Sequence, residues 1–149
     1  MVKYLPYIVI VCSLQFNNGC SSQKIEPKIQ KKHLLYNEMG GQEGIENLVD
    51  AFIKRIPTDK EILPYFAKSS VKHFKEGFIN HLCFITKGPC QYNGDSMVDI
   101  HTGMNITERD FNRVVEILIE AMEDIGISYQ SQNRLLSQLA PLRGQVIKL

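Results

Sequence analysis

Gly88-Pro-Cys-Gln-Tyr-Asn-Gly-Asp-Ser-Met-Val-Asp-Ile-His-Thr-Gly-Met-Asn-Ile-Thr107 is a turn-rich run that sets one histidine, His101, among apolar residues just ahead of a long amphipathic stretch. Gly88, Pro89, Gly94 and Gly103 break up regular structure and leave room for a turn or two of helix from Ser96 to His101. A lone histidine so placed can ligate a haem iron. Taken by itself, it is more commonly a surface residue or a core residue with a satisfied partner.

Outward from this run the chain reads as helices. Upstream, Ile45, Leu48, Val49, Phe52, Ile53 and Ile56 recur at i, i+3, i+4, i+7, i+8 and i+11, and Pro57 ends that stripe. Gly40-Gly41 before it suits a sharp reversal after the short apolar segment Leu34-Leu35-Tyr36. Ile62-Leu63-Pro64-Tyr65-Phe66 reads as an irregular apolar crossing segment. Ser69 or Ser70 can cap a second stripe of Phe74, Phe78, Leu82 and Ile85, with His81 beside it. Downstream, Thr107-Glu-Arg-Asp110 has the form of a capping box for a helix with Phe111, Val114, Val115, Leu118, Ile119 and Met122 inward, ended by Gly126. Ser128 starts a last helix carrying Leu135, Leu136, Leu139, Leu142 and Val146, with Pro141 expected to kink it. Strand-like alternation competes nowhere, so the class is all-α: four good helices and a long loop, enough for a two-layer sandwich of helix pairs.

The 149 residues allow one domain. Seventeen basic and sixteen acidic side chains nearly cancel and form no block, which argues against a nucleic-acid partner. Residues 1–19 resemble an export signal: Lys3, an apolar run from Leu5 to Phe16, then Gly19-Cys20-Ser21-Ser22. The run is short for a membrane span. Cys20 is a lipidation candidate like that of a bacterial lipoprotein, although Asn17 stands where such signals usually carry Leu. A cleaved soluble periplasmic protein and an uncleaved anchor are the competing readings. The expected location is thus the bacterial cell envelope on its periplasmic side, with Ser21 weakly favouring the outer membrane, and membrane contact only through the lipid anchor. Residues 20–33 are polar and read as a flexible tether, which includes His33. The folded part, 34–149, then holds two cysteines, Cys83 and Cys90, which in an oxidising compartment either pair or stay as buried thiols.

The order Tyr36…Gly40-Gly41, Phe52, Tyr65-Phe66, Gly88-Pro89…Tyr92-x-Gly94…Met97-x-x-x-His101…Ile106-Thr107…Phe111 resembles a truncated haemoglobin of the first group over roughly Leu34 to Ile147. No single element is diagnostic, but their shared order is. The resemblance implies a two-over-two helical globin that binds haem b, with His101 as proximal iron ligand. It further implies a pocket built from Phe66, Phe74, Phe78, Met97, Ile100, Ile106 and Phe111. Haem offers two apolar faces and one acidic edge, so aliphatic and aromatic walls with one axial nitrogen suit it. A nearby carbonyl or hydroxyl could orient the second ring nitrogen of His101. Lys68, Lys72, His73 and Lys75 are candidates for the propionate rim, against the commoner reading of solvated charges.

On the distal side the chain departs from the family. Carried over without gaps, Ile53 occupies the position of the usual distal tyrosine and Phe78 that of the usual helical glutamine. Bound dioxygen gains negative charge, and losing a donor forfeits roughly 1–3 kcal/mol of charge-assisted bonding. His81, three residues after Phe78 and next to Leu82, is the candidate replacement as donor or iron ligand; an ordinary helix-flank histidine is the alternative. The expected function is reversible binding, carriage or sensing of dioxygen or another diatomic gas such as NO or CO. One alternative is a nitric-oxide-dioxygenating or peroxidase-like enzyme with a reductase partner. The other is a haem-free helical adaptor on the envelope.

Overall fold

The computed structural model describes residues 34–67 and 69–149. The expected signal 1–19, Cys20, the tether with His33, and Lys68 lie outside the described residues. Seven α-helices are found among the described residues: α1 (Leu34–Glu38), α2 (Gly41–Arg55), α3 (Leu63–Phe66), α4 (Val71–Ile85), α5 (Met97–His101), α6 (Glu108–Asp124) and α7 (Tyr129–Leu139). Two 3-10 turns, Ile56–Thr58 and Ala140–Gln145, follow α2 and α7. None of these helices is long and apolar enough to cross a membrane.

Local chemistry accounts for the helix starts. Gly40 and Gly41 have φ of 89° and 65°, a left-handed region that side chains disfavour, so the reversal between α1 and α2 requires glycine. Side-chain oxygens of Ser70, Ser96, Thr107 and Ser128 accept the first free backbone N–H groups of α4, α5, α6 and α7. At α6 the box is reciprocal, because Asp110 Oδ2 accepts from the Thr107 backbone N–H at 2.9 Å. Thr107→Ala is expected to cost about 1 kcal/mol in urea unfolding, while the neighbouring exposed Glu108→Ala should stay within about 0.5 kcal/mol.

Two segments differ from the sequence expectation. Residues 63–66 form a helical turn rather than an irregular crossing, because Pro64 sits in its first turn, where a missing N–H costs nothing. Pro141 does not kink α7. The helix ends at Leu139 and Pro141 opens the 3-10 turn, where it again needs no donor.

α2 is the hub, packed on α6 along one side and on α4 along the other. α1 bridges α2 and α7, and α5 rests on the C-terminal 3-10 turn. Ile45, Leu48, Val49 and Phe52 of α2 meet Leu82 and Cys83 of α4, Ile117, Leu118, Ala121 and Met122 of α6, and Leu135 of α7 in one core. The buried face of α6 includes Ile117 and Ala121, outside the stripe read from sequence, whereas Phe111 and Val115 are only half-buried. An alanine is too small to register strongly in a hydrophobic period, yet Ala121 is fully buried in the core.

Charge reinforces the α2–α6 contact. Arg55 pairs with Asp124 at 2.7 Å and Glu120 at 2.5 Å, and Arg113 Nε reaches Asp59 at 2.6 Å. Asp59 also accepts the backbone N–H groups of Glu61 and Ile62, so one carboxylate closes the turn before α3 and anchors it to α6.

Cys83 and Cys90 are joined as a disulfide with Cα atoms 5.9 Å apart, which ties the loop after α4 back to that helix. At Gly88, inside the bridged loop, an added Cβ would lie 2.7 Å from Cys83 Sγ and 2.5 Å from a Tyr36 ring carbon. Reduction is expected to lower the unfolding free energy by about 2 kcal/mol on the chain-entropy account. Paired urea titrations with and without reductant, followed by circular dichroism, would measure it.

Candidate functional site

The site is assembled from helices anchored separately. α4 is held on α2, α5 on the C-terminal turn, and His101 is the last residue of α5. The five-residue α5 exists because Ser96 caps it, accepting from the Asp99 N–H at 3.1 Å, and because the Thr102 hydroxyl bonds the Val98 carbonyl at 2.7 Å.

His101 is half-buried, and its Nδ1 lies 2.7 Å from the Met97 carbonyl oxygen. A carbonyl can only accept, so Nδ1 carries the proton and Nε2 keeps its lone pair. The i to i+4 spacing of Met97 and His101 makes this bond a product of the local helix. It locks tautomer and ring orientation, the arrangement by which metal-bound histidines are prepared.

Aromatic rings of α2, α3 and α4 form a separate cluster. Phe52 of α2 lies 6.4 Å from Phe66, 6.2 Å from Phe74 and 5.4 Å from Phe78, while Phe66 and Phe74 meet edge to face at 4.9 Å. Phe66, Phe74, Phe78 and Ile53 are half-buried around the fully enclosed Phe52. Ile53, Phe66 and Phe74 also line an apolar pocket of about 120 Å³ at the start of α4. Neither His81 nor His101 borders that pocket, and its volume is below the 300–1,000 Å³ usual for a cofactor site.

On the His101 side, Ile106 is buried and Phe111 and Met97 are half-buried, whereas Ile100 is 46% exposed. Ile100 therefore projects largely outward, as does Val98, which is 41% exposed. Arg143 stands 5.9 Å from the Phe111 ring and 3.3 Å from Glu108. Of the rim candidates, Lys75 is paired with Asp50 at 2.5 Å, Lys72 lies 3.9 Å from Glu76, and His73 is exposed.

Sequence reasoning missed two contacts. Tyr65 donates to Asp110 Oδ2 at 2.7 Å, joining α3 to the start of α6 and holding the Asp110 carboxyl below its ordinary range along with the Thr107 bonds. Tyr92 packs edge-on against His81 at 5.2 Å. The Tyr-x-Gly element was visible in sequence, but nothing local says which ring a loop tyrosine will meet.

His81 is buried, with neither ring nitrogen bonded among the described residues. Burial pushes its pKa below the 6.5 of a free imidazole. As pH falls, the unfolded chain therefore takes up the proton first. The stability this neutral group permits is complete above about pH 6.5 and is lost progressively below it, down to the folded-state pKa. Asp59 and Asp110, whose pKa values lie below the ordinary 3.8, act only at still lower pH. Urea unfolding of the haem-free chain should give lower stability at pH 5.5 than at 7.5, and His81→Phe should flatten that slope.

A family model of bacterial-like globins matches residues 34–148. The chain belongs to that family. This globin is 33% identical over 113 residues to the group 1 truncated hemoglobin GlbN of Nostoc sp. (strain MUN 8820), covering 76% of this chain and 96% of the relative. It is 26% identical over 102 residues to the group 1 truncated hemoglobin of Tetrahymena thermophila, covering 68% and 84%. Its fold matches the truncated hemoglobin of Tetrahymena pyriformis in the Fe(III) form with a TM-score of 0.74, at 22% identity over 77% of this chain and 98% of the other. The 2/2 hemoglobin of Synechococcus sp. PCC 7002, solved in the cyanomet state with covalently attached heme, matches with a TM-score of 0.72 at 17% identity, again covering 77% and 98%. The globin is thus all-α with the truncated two-over-two fold.

The residues present fit haem. One imidazole is oriented by its Nδ1 bond, α4 carries aromatic rings, and the buried His81 on the same helix has no hydrogen-bond partner among the described residues.

Proposed function

We propose that this globin holds haem b through His101 and reversibly binds a diatomic gas, dioxygen foremost. The observation that carries the reading is the bond from His101 Nδ1–H to the Met97 carbonyl, which leaves Nε2 as an oriented axial donor. The haem iron supplies the binding position for the gas. The chain supplies the rest: Ile106, Phe111 and Met97 pack the His101 side, while Phe66, Phe74 and Phe78 present apolar surface that keeps water out.

Ile53 and Phe78 offer no hydrogen-bond donor, so the two charge-assisted bonds that would make retention of dioxygen very tight are not supplied at these positions. A single donor from elsewhere in the pocket would still stabilise charge on the gas less than two do, which weighs against a dioxygenase. Carriage or sensing is therefore the better-supported role, and a reductase partner is not required for it. Absorption spectra of the purified chain reconstituted with haem test the proposal in oxidised, reduced and carbon monoxide-treated forms. A Soret band that shifts on reduction and again with carbon monoxide is expected. A chain that leaves added haem unbound would refute the reading and favour a haem-free helical adaptor.

A further inference from the structure

His81 is 8% exposed on α4, three residues after Phe78 and seven after Phe74, so helical spacing carries it along the face bearing those rings. Both of its nitrogens lack a hydrogen-bond partner among the described residues. Tyr92 stands edge-on to it at 5.2 Å, but its hydroxyl donates to the Asp95 carbonyl oxygen at 2.7 Å, so it packs against the imidazole without bonding it. Thr86, the next buried polar group along the chain, spends its hydroxyl on the Leu82 and Cys83 carbonyls. The Cys83–Cys90 bridge, two residues beyond His81 and two before Tyr92, holds that ring cover in place. Buried polar groups in folded proteins nearly always have a partner, and an orphan calls for a group that the described residues do not supply.

We propose that His81 is the hydrogen-bond donor to the diatomic gas on the α4 side of the haem pocket, in place of the donors that Ile53 and Phe78 lack. This rests on the reading of the chain as a globin that binds gas at haem held by His101. Neutral imidazole has one N–H and one lone pair, so its ring can turn the N–H toward the gas without bringing a net charge into apolar surroundings. In that low-dielectric setting, one such bond counts for more than it would in water.

The test uses the full chain loaded with haem as wild type, His81→Leu and His81→Gln. Stopped-flow spectroscopy reads dioxygen release, and infrared spectroscopy reads the stretching frequency of bound carbon monoxide. His81→Leu is expected to release dioxygen about 10-fold faster or more and to raise the carbon monoxide frequency. His81→Gln, which keeps an N–H donor, should fall between. Urea unfolding of haem-free His81→Leu should show stability at least equal to wild type, because an unsatisfied buried group has been removed. Unchanged release and frequency in His81→Leu, with an intact Soret band, would overturn the role of His81 alone. A low-spin ferric wild type that becomes high-spin in His81→Leu would place His81 on the iron and overturn its role as donor. Absence of any Soret band in wild type would overturn both this inference and the gas-binding reading beneath it.

Discussion

Replacement of His101 by Ala is expected to abolish the axial bond to haem and lower haem affinity by at least about 100-fold, the upper end of what loss of a mere orienting partner costs a metal site. His101 is half-buried, and the hydrogen bond of its ring is local, to the Met97 carbonyl one turn back. Its removal should therefore leave the fold intact, and the far-ultraviolet dichroism of the haem-free variant should match wild type. Haem titration followed at the Soret band measures the loss. Added imidazole should restore part of the wild-type spectrum by entering the space the side chain vacates. Wild-type spectra in His101→Ala would remove His101 from the iron, whatever the rest of the pocket does.

Phe52→Ala is expected to be the most damaging substitution to the fold, costing about 3–5 kcal/mol. Phe52 is 2% exposed at the centre of the aromatic group, in ring contact with Phe66, Phe74 and Phe78. It comes from α2, which also packs on α6, so its loss opens a cavity where three helices meet. The loss should appear as a lower urea midpoint with little change in slope. Phe84→Ala is the control: that ring is 45% exposed on the outer side of α4 and its loss should cost far less. A Phe52→Ala cost under about 1 kcal/mol would mean that the surrounding rings close over the gap, and that the aromatic wall is adaptable rather than built around one residue.

The two substitutions probe features that differed in how visible they were beforehand. The capping box at Thr107 and the helix starts at Ser96 and Ser128 appear where the sequence puts them, and of Ser69 and Ser70 it is Ser70 that caps α4. The same holds for the Gly40-Gly41 reversal, whose positive φ values any two adjacent glycines at a helix start suggest. Pro64 and Pro141 were misread because a proline in the first turn of a new helix looks, in sequence, like one that breaks an old helix. Ile117 and Ala121 lie beside the stripe of large residues on α6, and which flank of a stripe is covered depends on the helices that pack against it, not on the period itself.

Within the site, His101 and its bond to Met97 were accessible because both lie in one helical turn. His81 was visible only as a histidine beside a stripe. Its burial against Tyr92, eleven positions on, and the lack of a partner for either nitrogen are products of the loop that the Cys83–Cys90 bridge draws back over α4. The anchoring of α3 to α6 through Tyr65 and Asp110 spans forty-five positions and has no local signal.

By itself, then, the sequence determined the helical class, the helix starts, the family resemblance and the nomination of His101, because each depends on residues within a turn or two or on their order along the chain. Tertiary structure alone decided which side chains are enclosed and which buried polar group is left unbonded. Burial and hydrogen-bond satisfaction depend on what packs from distant elements, and among the described residues that leaves both ring nitrogens of His81 unbonded on the helix that also carries Phe74 and Phe78.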